Sequence, residues 1–503
     1  MIAKVLVANR GEIACRILRA CQEAEIETVA VCAPNDLESM FVEMADEVVV
    51  LRGDSIGETY LDHTQIIQAA LDTGAHAIHP GFGFLSERAD VARAVVDAGL
   101  VWVGPRAEAI EQMGDKMTAR QTMRKAGVPV IPGEEVESID EDQAMLELEE
   151  ASTRVGYPLL LKASSGGGGK GMRAVTNPSE FHEAARAARR EAVAAFGDGR
   201  IYIERLLSGS KHVEIQVLAD SHGTTIHLGE RECSVQRRHQ KVFEEAPCAT
   251  LTPELRDAMG DAAVAAAEAV AYEGAGTVEF LLAPSGEFFF LEMNTRIQVE
   301  HPVTELVTGV DIVREQLRIA SGAPMSCGPL NLRGHAIEVR LYAEDAANNF
   351  LPAIGPLAVF QPPQGPGIRL DTGVREGDDV TPNYDPMLAK LIVWAPSRVE
   401  ALQRMRRALD EFVILGTTTN IRFLRELCDV QAVIEGTTTT TTIDDTWPNG
   451  WQPSENQSIE EASLLMAAMG ETLGLHRVHR TGGEVSGSTG PPSPFATLQR
   501  RYP

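Results

Sequence analysis

The chain has 503 residues, 44% apolar and 23% charged, a make-up that suits a globular protein of about three domains. Its net charge of -27 argues against a nucleic-acid partner, and no apolar run approaches the roughly 18 residues of a membrane span. Seven cysteines without CxxC or Cys/His ligand spacing argue against disulfides and structural zinc, and the opening MIAKVLVANRGE is no signal peptide, so a cytoplasmic protein is expected.

Residues 1 to about 115 alternate short apolar strands with helical stretches: Lys4–Ala8, Thr28–Cys32, Val48–Leu51, Ala77–His79 and Val101–Val103. That repetition predicts a parallel sheet covered by helices. No G-x-G-x-x-G follows the first strand; Asn9-Arg10-Gly11-Glu12-Ile13-Ala14 stands there instead, which argues against a dinucleotide site. The Gly-punctuated run His79–Glu87 reads as a loop at a strand's C-terminal end, either a structural turn or part of a site.

From about 130 to 205 a small lobe is expected. An apolar strand delivers Lys162, and Gly166 to Gly169 then let backbone approach a ligand that side chains would exclude, followed by Lys170. Free N–H groups in such a loop suit phosphate oxygens, although the spacing is not that of a P-loop. A flexible linker is the plainer reading, and the flanking strand and lysines favour a phosphate lid. Ile201–Leu207 reads as a strand leaving the lobe, with Glu204 placed to line a nucleotide pocket. Lys211–Val217 alternates cleanly as a strand. Arg231, Arg237, Arg238, His239 and Lys241 then crowd one segment, and they need either an anionic ligand or the acids Glu230, Glu232, Glu244 and Glu245.

Residues 251–273 predict an Ala-rich helix stopped at Gly274. Thr277–Leu282 and Phe288–Met293 read as a hairpin around Pro284-Ser285-Gly286. A four-residue loop, Ala283–Gly286, would pair Glu279 with Phe290 and set Glu292 diagonally from Glu279 on one face. Two carboxylates so placed suit a hard cation such as Mg²⁺. If the chain stays extended, Glu292, Asn294, Arg296, Gln298 and Glu300 share one face, which is either an ordinary solvated face or a catalytic floor. Because the apolar run Phe288–Leu291 leads into it, the charges need partners, and the floor is favoured.

A helix is expected near Asp311–Ser321, then a mostly β segment with strands His335–Tyr342, Ala358–Phe360, Gly367–Leu370 and Lys390–Trp394 and a helix Arg398–Glu411. Arg340 could point from this segment into the cleft. Gly436 and Thr437–Thr442 read as a linker or domain edge. Ser458-x-x-Glu461 opens a helix to about Leu473, and Thr481–Pro503 reads as disordered unless bound.

These motifs together resemble the biotin carboxylase component of biotin-dependent carboxylases, in the ATP-grasp superfamily, over about residues 1–440. YPLLLKASSGGGGKG and FLEMNTRI are similar to the two ATP-grasp signatures; ANRGEIA, HPGFGFLSE, ERECSVQRRHQKVFEEAP, EMNTRIQVEHPVTE and NYDPMLAKL are narrower. The resemblance implies an α/β fold: a Rossmann-like parallel-sheet domain (1–115), an ATP-grasp domain (116–325) with a mobile lid lobe (about 130–205), a mostly β C-terminal domain (326–440), and an extension (441–503).

It also implies roles. Lys116, Lys162, Gly168, Gly169, Glu204, Arg205, Leu206, Leu207, His212, Gln236, His239, Glu279 and Glu292 would contact ATP. Glu279, Glu292 and Asn294 would hold Mg²⁺ or Mn²⁺, with two ions expected. Lys241, Arg296, Gln298 and Val299 would bind bicarbonate, Glu300 would be the general base, and Arg340 would stabilise the biotin enolate. Implied partners are a biotin carboxyl carrier protein, a carboxyltransferase subunit and a second copy of the chain. Arg205 departs from the family's usual lysine, and Met466-Ala-Ala-Met469 lacks the lysine of a biotin attachment motif. A carbamoyl-phosphate-forming ligase would normally duplicate the ATP-grasp unit, and a non-catalytic subunit would lose metal or base residues. The chain shows neither feature.

Overall fold

β1 (Lys4–Val7) leads through α1 (Gly11–Glu23) to β2 (Glu27–Cys32), β3 (Glu47–Val50), β4 (Ala77–His79) and β5 (Val101–Trp102), a parallel sheet in the order β3-β2-β1-β4-β5. Helices on both faces bury its Val, Ile and Ala side chains, as the apolar strands require. The coordinates are a computed structural model that describes residues 2–453, except 137, 139, 164–171, 239 and 329. The glycine lid, His239, the Ser458–Leu473 helix and the Thr481–Pro503 tail therefore lie outside the described residues. Among the described residues no helix is long and apolar enough to cross a membrane. All seven cysteines are free thiols.

The small lobe is a four-stranded antiparallel sheet. β6 (Gly133–Glu135), α2 (Glu141–Val155), β7 (Leu159–Ala163), β8 (Arg173–Val175), α3 (Phe181–Phe196) and β9 (Ile201–Arg205) pair in the order β6-β9-β7-β8. Leu148, Leu159, Leu161, Phe181 and Ile203 give it a core of its own.

The body is one eight-stranded antiparallel sheet. Its strands and companions are β10 (Lys211–Ala219), β11 (Thr225–Arg237), β12 (Gln240–Ala246), α4 (Pro253–Ala269), β13 (Gly274–Leu282), β14 (Phe288–Asn294), α5 (His301–Thr308), α6 (Ile312–Ala320), β15 (His335–Tyr342), β16 (Ile368–Thr372), β17 (Met387–Ala395) and α7 (Arg398–Glu411). The order is β14-β13-β10-β11-β12-β15-β17-β16, so hydrogen bonding runs without a break across residues 325 and 326, where the sequence reading divides two domains. Val213, Ile215, Phe280 and Phe290 pack with Ala263, Ala266 and Ala267 of α4, whose small side chains let the helix approach closely. The alternate residues of β10, His212, Glu214 and Gln216, belong to the opposite, polar face.

Five sequence expectations are corrected. The hairpin loop has five residues, Ala283–Glu287, and pairs Leu282 with Phe288; the Ala283 N–H donates to the Glu287 carbonyl at 2.8 Å. A bulge at Leu291 then puts Glu292 directly opposite Glu279 rather than diagonal to it. The strand ends at Asn294, and the chain turns at Val299-Glu300 into α5 instead of staying extended. The Ala-rich helix stops at Ala269, and Gly274 (φ +92°) opens β13. The threonine run is no linker. Lys211 Nζ donates to the carbonyls of Gly436 (2.8 Å) and Thr438 (2.9 Å), the Thr440 N–H donates to the Ser210 carbonyl (3.0 Å), and Trp447 and Trp451 pack against Phe423.

The first module is locked to the body by buried charge. Arg16 of α1 donates to Glu305 (3.0 Å) and Asp311 (2.7 Å), and Lys390 of β17 pairs with Glu12 at 3.2 Å. A Cβ on Gly373 would lie 2.4 Å from the Gly11 carbonyl carbon, so the contact between the two segments requires glycine.

Candidate active site

Between the small lobe and the body lies a cleft of about 260 Å³, lined among others by Lys116, Lys162, Glu204, Glu292 and Asn294. Lys162 comes from β7 and Glu204 from β9, neighbouring strands with Leu160 opposite Glu204. Glu204 is buried and pairs with both Lys162 and Arg120, the latter at 2.7 Å. Arg205 turns away, its guanidinium 5.2 Å from the Phe289 ring centre. The Leu206 N–H donates to the Pro158 carbonyl, and the Leu207 carbonyl accepts from Ser210 at 2.9 Å.

Below the cleft floor runs a continuous chain of charge. His212 Nε2 lies 2.9 Å from Glu279 Oε2, and its Nδ1 is 3.0 Å from Gln236. Glu279 Oε1 accepts from Asn294 (2.8 Å), Gln298 (3.0 Å) and Lys241 (2.8 Å). Lys241 Nζ also lies 2.5 Å from Glu214 and 2.8 Å from Glu300. Glu300 continues to Arg340 Nη2 at 3.0 Å, and Arg340 Nε donates to Glu244 at 2.6 Å. Arg231 lies behind them, wholly buried, donating to Glu214, Gln216, Thr277 and Thr304.

Burial alone would neutralise these groups, and their mutual attraction reverses that. Desolvation opposes the Lys241 charge, but Glu214, Glu279 and Glu300 outweigh it and hold the ammonium well above its ordinary pKa. Burial likewise pushes Glu300 up, and Lys241, Arg340 and Arg231 pull it well below the usual carboxylate range. Glu279 is lowered in the same way by Lys241 and His212. Glu244 keeps the upward push of burial despite Arg340, reaching about 7. Glu338, opposite Glu244 across β12 and β15, is driven well above the carboxylate range by burial, with Lys390 too weak to reverse it.

Glu292 opens to solvent and accepts no hydrogen bond from the described residues. The surrounding protein, and then the Glu279 charge opposite, raise its pKa. A divalent cation between the two carboxylates would relieve that repulsion with hard oxygen donors. Asn294 stands beside Glu279, its amide nitrogen donating to that carboxylate and its Oδ1 accepting from Arg296. The residues present therefore fit such an ion.

Arg296 reaches Glu87 at 3.0 Å, Gln298 Oε1 at 3.2 Å and Asn294 Oδ1 at 3.2 Å. The His79–Glu87 loop thus closes one side of the site. The described cations of the segment 231–241 are spent internally, but not on the acids proposed from sequence: Arg237 pairs with Glu344 (3.0 Å), Arg238 with Asn349 (2.6 Å), while Glu230, Glu232 and Glu245 take Arg256, Lys211 and Arg398. Lys241 alone of these described cations reaches the chain of site acids at Glu279 and Glu300, and Arg231 reaches it through Glu214.

Sequence reasoning missed four contributors. Glu214 was legible, since it alternates with His212 in β10. Glu87 stood in a loop already suspected of forming a site. Arg120 lies in a helix with no local signal, and Glu244 is expected from sequence only as an internal partner for the basic segment 231–241.

Comparison with known proteins accords with this geometry. Residues 1–110, 115–327 and 338–445 match the families Biotin carboxylase, N-terminal domain; Carbamoyl-phosphate synthase L chain, ATP binding domain; and Biotin carboxylase C-terminal domain. The chain is 50% identical over 439 residues to a biotin carboxylase of Nostoc sp., covering 87% of this chain and 97% of that protein. It is 45% identical to a propionyl-CoA carboxylase alpha chain of Ruegeria pomeroyi over 95% of this chain and 72% of that protein, a match that must reach beyond Trp451. The biotin carboxylase domain of Hydrogenobacter thermophilus 2-oxoglutarate carboxylase, solved as a dimer with MgADP, ADP and bicarbonate, superposes with a TM-score of 0.84 at 44% identity, covering 90% of this chain and all of that one. With these three family matches in order along an ATP-grasp fold, the chain belongs to the biotin carboxylase family.

Proposed function

We propose that the chain carboxylates biotin at N1′ using ATP and bicarbonate, as the biotin carboxylase subunit of an acyl-CoA or pyruvate carboxylase. The observation that carries this reading is the unbroken chain from Glu279, with Glu292 opposite it, through Lys241 to Glu300 and Arg340, beneath a cleft between two lobes. One end suits metal and phosphate, the middle suits a small planar anion, and the far end suits an enolate.

ATP occupies the cleft, where Lys116 and Lys162 offset phosphate charge. Glu279, Glu292 and Asn294 would hold magnesium, which would supply further neutralisation of the phosphate charge. Bicarbonate sits at Arg296, Gln298, Val299 and Lys241; a guanidinium fork matches its planar oxygens better than an ammonium would. Its oxygen attacks the γ-phosphorus as Glu300 takes its proton, ADP leaves, and carboxyphosphate forms. Lys241 and Arg340 keep Glu300 ionised, so the acceptor is ready across the neutral range. Carboxyphosphate breaks to CO₂ and phosphate, the phosphate removes the N1′ proton of biotin, and the enolate, its oxygen held by Arg340, attacks CO₂. The glycine loop of residues 166–169, closing as a lid, would exclude water from the intermediate.

Biotin is presented by a carrier protein, a carboxyltransferase subunit completes the assembly, and the chain works as a homodimer in the cytoplasm. Residues 115 and 325 are read as boundaries between modules of one continuous body rather than between separate domains. Glu300→Gln tests the reading: bicarbonate-dependent ADP release with free biotin should fall 10²–10⁴-fold, roughly what loss of one base costs, while nucleotide affinity is kept. Near-normal turnover would remove Glu300 from the mechanism.

A further inference from the structure

Two side chains that no step above uses hold the peptide groups beside the proton acceptor. Lys390 Nζ, from β17, donates to the Val299 carbonyl at 2.8 Å. His301 Nδ1, at the start of α5, lies 2.7 Å from the Gln298 carbonyl. A carbonyl only accepts, so the proton sits on Nδ1, and the buried Nε2 has no hydrogen-bond partner among the described residues. Both side chains are wholly buried. Lys390 is further fixed by Glu12 at 3.2 Å and Asp371 at 3.8 Å, and it stands directly opposite Arg340 in the β15–β17 ladder.

We infer that Lys390 and His301 are positioning residues for bicarbonate: they hold the Gln298 and Val299 carbonyls on the buried side of the turn, leaving the Val299 backbone and the Glu300 carboxylate to face the anion. This inference rests on reading residues 296–300 as the bicarbonate cradle. The physical reason is electrostatic. Carbonyl oxygens carry partial negative charge, and two of them turned toward a bound anion would repel it. Among the described residues, the other hydrogen bonds to backbone carbonyls of this turn are long: Arg296 Nη1 to the Ile297 carbonyl, the His301 N–H to the Gln298 carbonyl and the Val303 N–H to the Glu300 carbonyl, each at 3.3 Å. Burial opposes the Lys390 charge, yet Glu12, Glu338 and Asp371 hold it above the usual lysine pKa, so the donor stays charged. Burial, with Lys390 and Arg16 nearby, holds His301 well below the usual histidine range, so its ring is neutral with one fixed proton.

The paired arginine and lysine on β15 and β17 thus grip neighbouring atoms of one turn. Arg340 takes the Glu300 carboxylate and Lys390 takes the preceding carbonyl. Glu12 brings the first module into the same junction.

The test uses the full-length chain, with bicarbonate-dependent ADP release in the presence of free biotin. Lys390→Met should raise the KM for bicarbonate roughly tenfold, as expected for losing a charge-assisted hydrogen bond, and change ATP affinity by less than about twofold. Lys390→Arg should recover part of the loss. An unchanged bicarbonate KM in folded Lys390→Met overturns the inference. If Lys390→Met fails to fold, a histidine pair decides. His301→Asn keeps a donor near the Nδ1 position and His301→Gln moves it toward Nε2. Near-normal KM in the first with a raised KM in the second supports the inference, and equal values overturn it. Glu300→Gln separates the two readings. If it stays active, the cradle itself is misassigned; if it is inactive while Lys390→Met and His301→Gln behave normally, only the positioning role falls.

Discussion

Replacing Lys241 with methionine keeps the side chain's reach and deletes the ammonium shared by Glu214, Glu279 and Glu300 at 2.5, 2.8 and 2.8 Å. The three carboxylates are 0%, 5% and 0% exposed, so water cannot replace the lost partner. Deleting one member of a buried ion pair typically costs about 3–5 kcal/mol. Arg231, His212 and Arg340 still face the cluster, which places the expected loss near the lower end, about 3 kcal/mol at pH 8. The pH dependence is the sharper signature. In the native chain Glu279 and Glu300 have depressed folded pKa values, so their contribution is present above the unfolded value of 4.5 and is lost as pH falls through the folded values. Without Lys241 the crowded acids move upward. A carboxyl raised above its unfolded value contributes stability below pH 4.5 that is lost as pH rises. The difference between variant and native chain should therefore widen from about pH 5 to about pH 8. Urea unfolding at several pH values, with unchanged m, measures it. A difference that is flat with pH, or below about 1 kcal/mol at pH 8 as for exposed pairs, would refute the cluster's dependence on this lysine.

Burial raises the Glu338 pKa well above the carboxylate range, so its contribution is present below the unfolded value and lost as pH rises through the folded one. Glu338→Gln should thus be no less stable than the native chain at pH 8 by urea unfolding; a clear loss would show the group is ionised there. Lys211→Met strips the buried Glu232 of its ammonium and frees the Gly436 and Thr438 carbonyls, and should cost about 3 kcal/mol. A melting temperature equal to the native one would make the threonine strap incidental. Deleting residues 455–503 should weaken co-purification with carrier and carboxyltransferase subunits while sparing free-biotin carboxylation, and equal co-purification of both forms would end that idea.

Much of the site could be read from local pattern. Strand His335–Tyr342 and helix Arg398–Glu411 fall where alternation and helical spacing place them. Lys162, Glu279, Glu292 and Arg340 stand on strands expected to carry them. The hairpin register was not legible. The bulge at Leu291 has no glycine or proline to announce it, and it follows a five-residue loop that the turn residues alone did not single out. The threonine run misled because its composition is that of a linker, whereas its burial depends on a lysine and an acid more than two hundred positions away.

By itself, the sequence determined where most strands run and which residues alternate along them, and that metal-seeking acids, an anion-seeking arginine and a base stand close together along one stretch. Only the tertiary structure decided who pairs with whom: Lys241 with three acids, Arg340 with Glu300, Lys390 with both Glu12 and the Val299 carbonyl. The reason is physical. Backbone periodicity sets the direction of a side chain, but a buried charge's partner is set by whichever opposite charge the folded sheet brings within about 3 Å, where Coulomb attraction can repay desolvation.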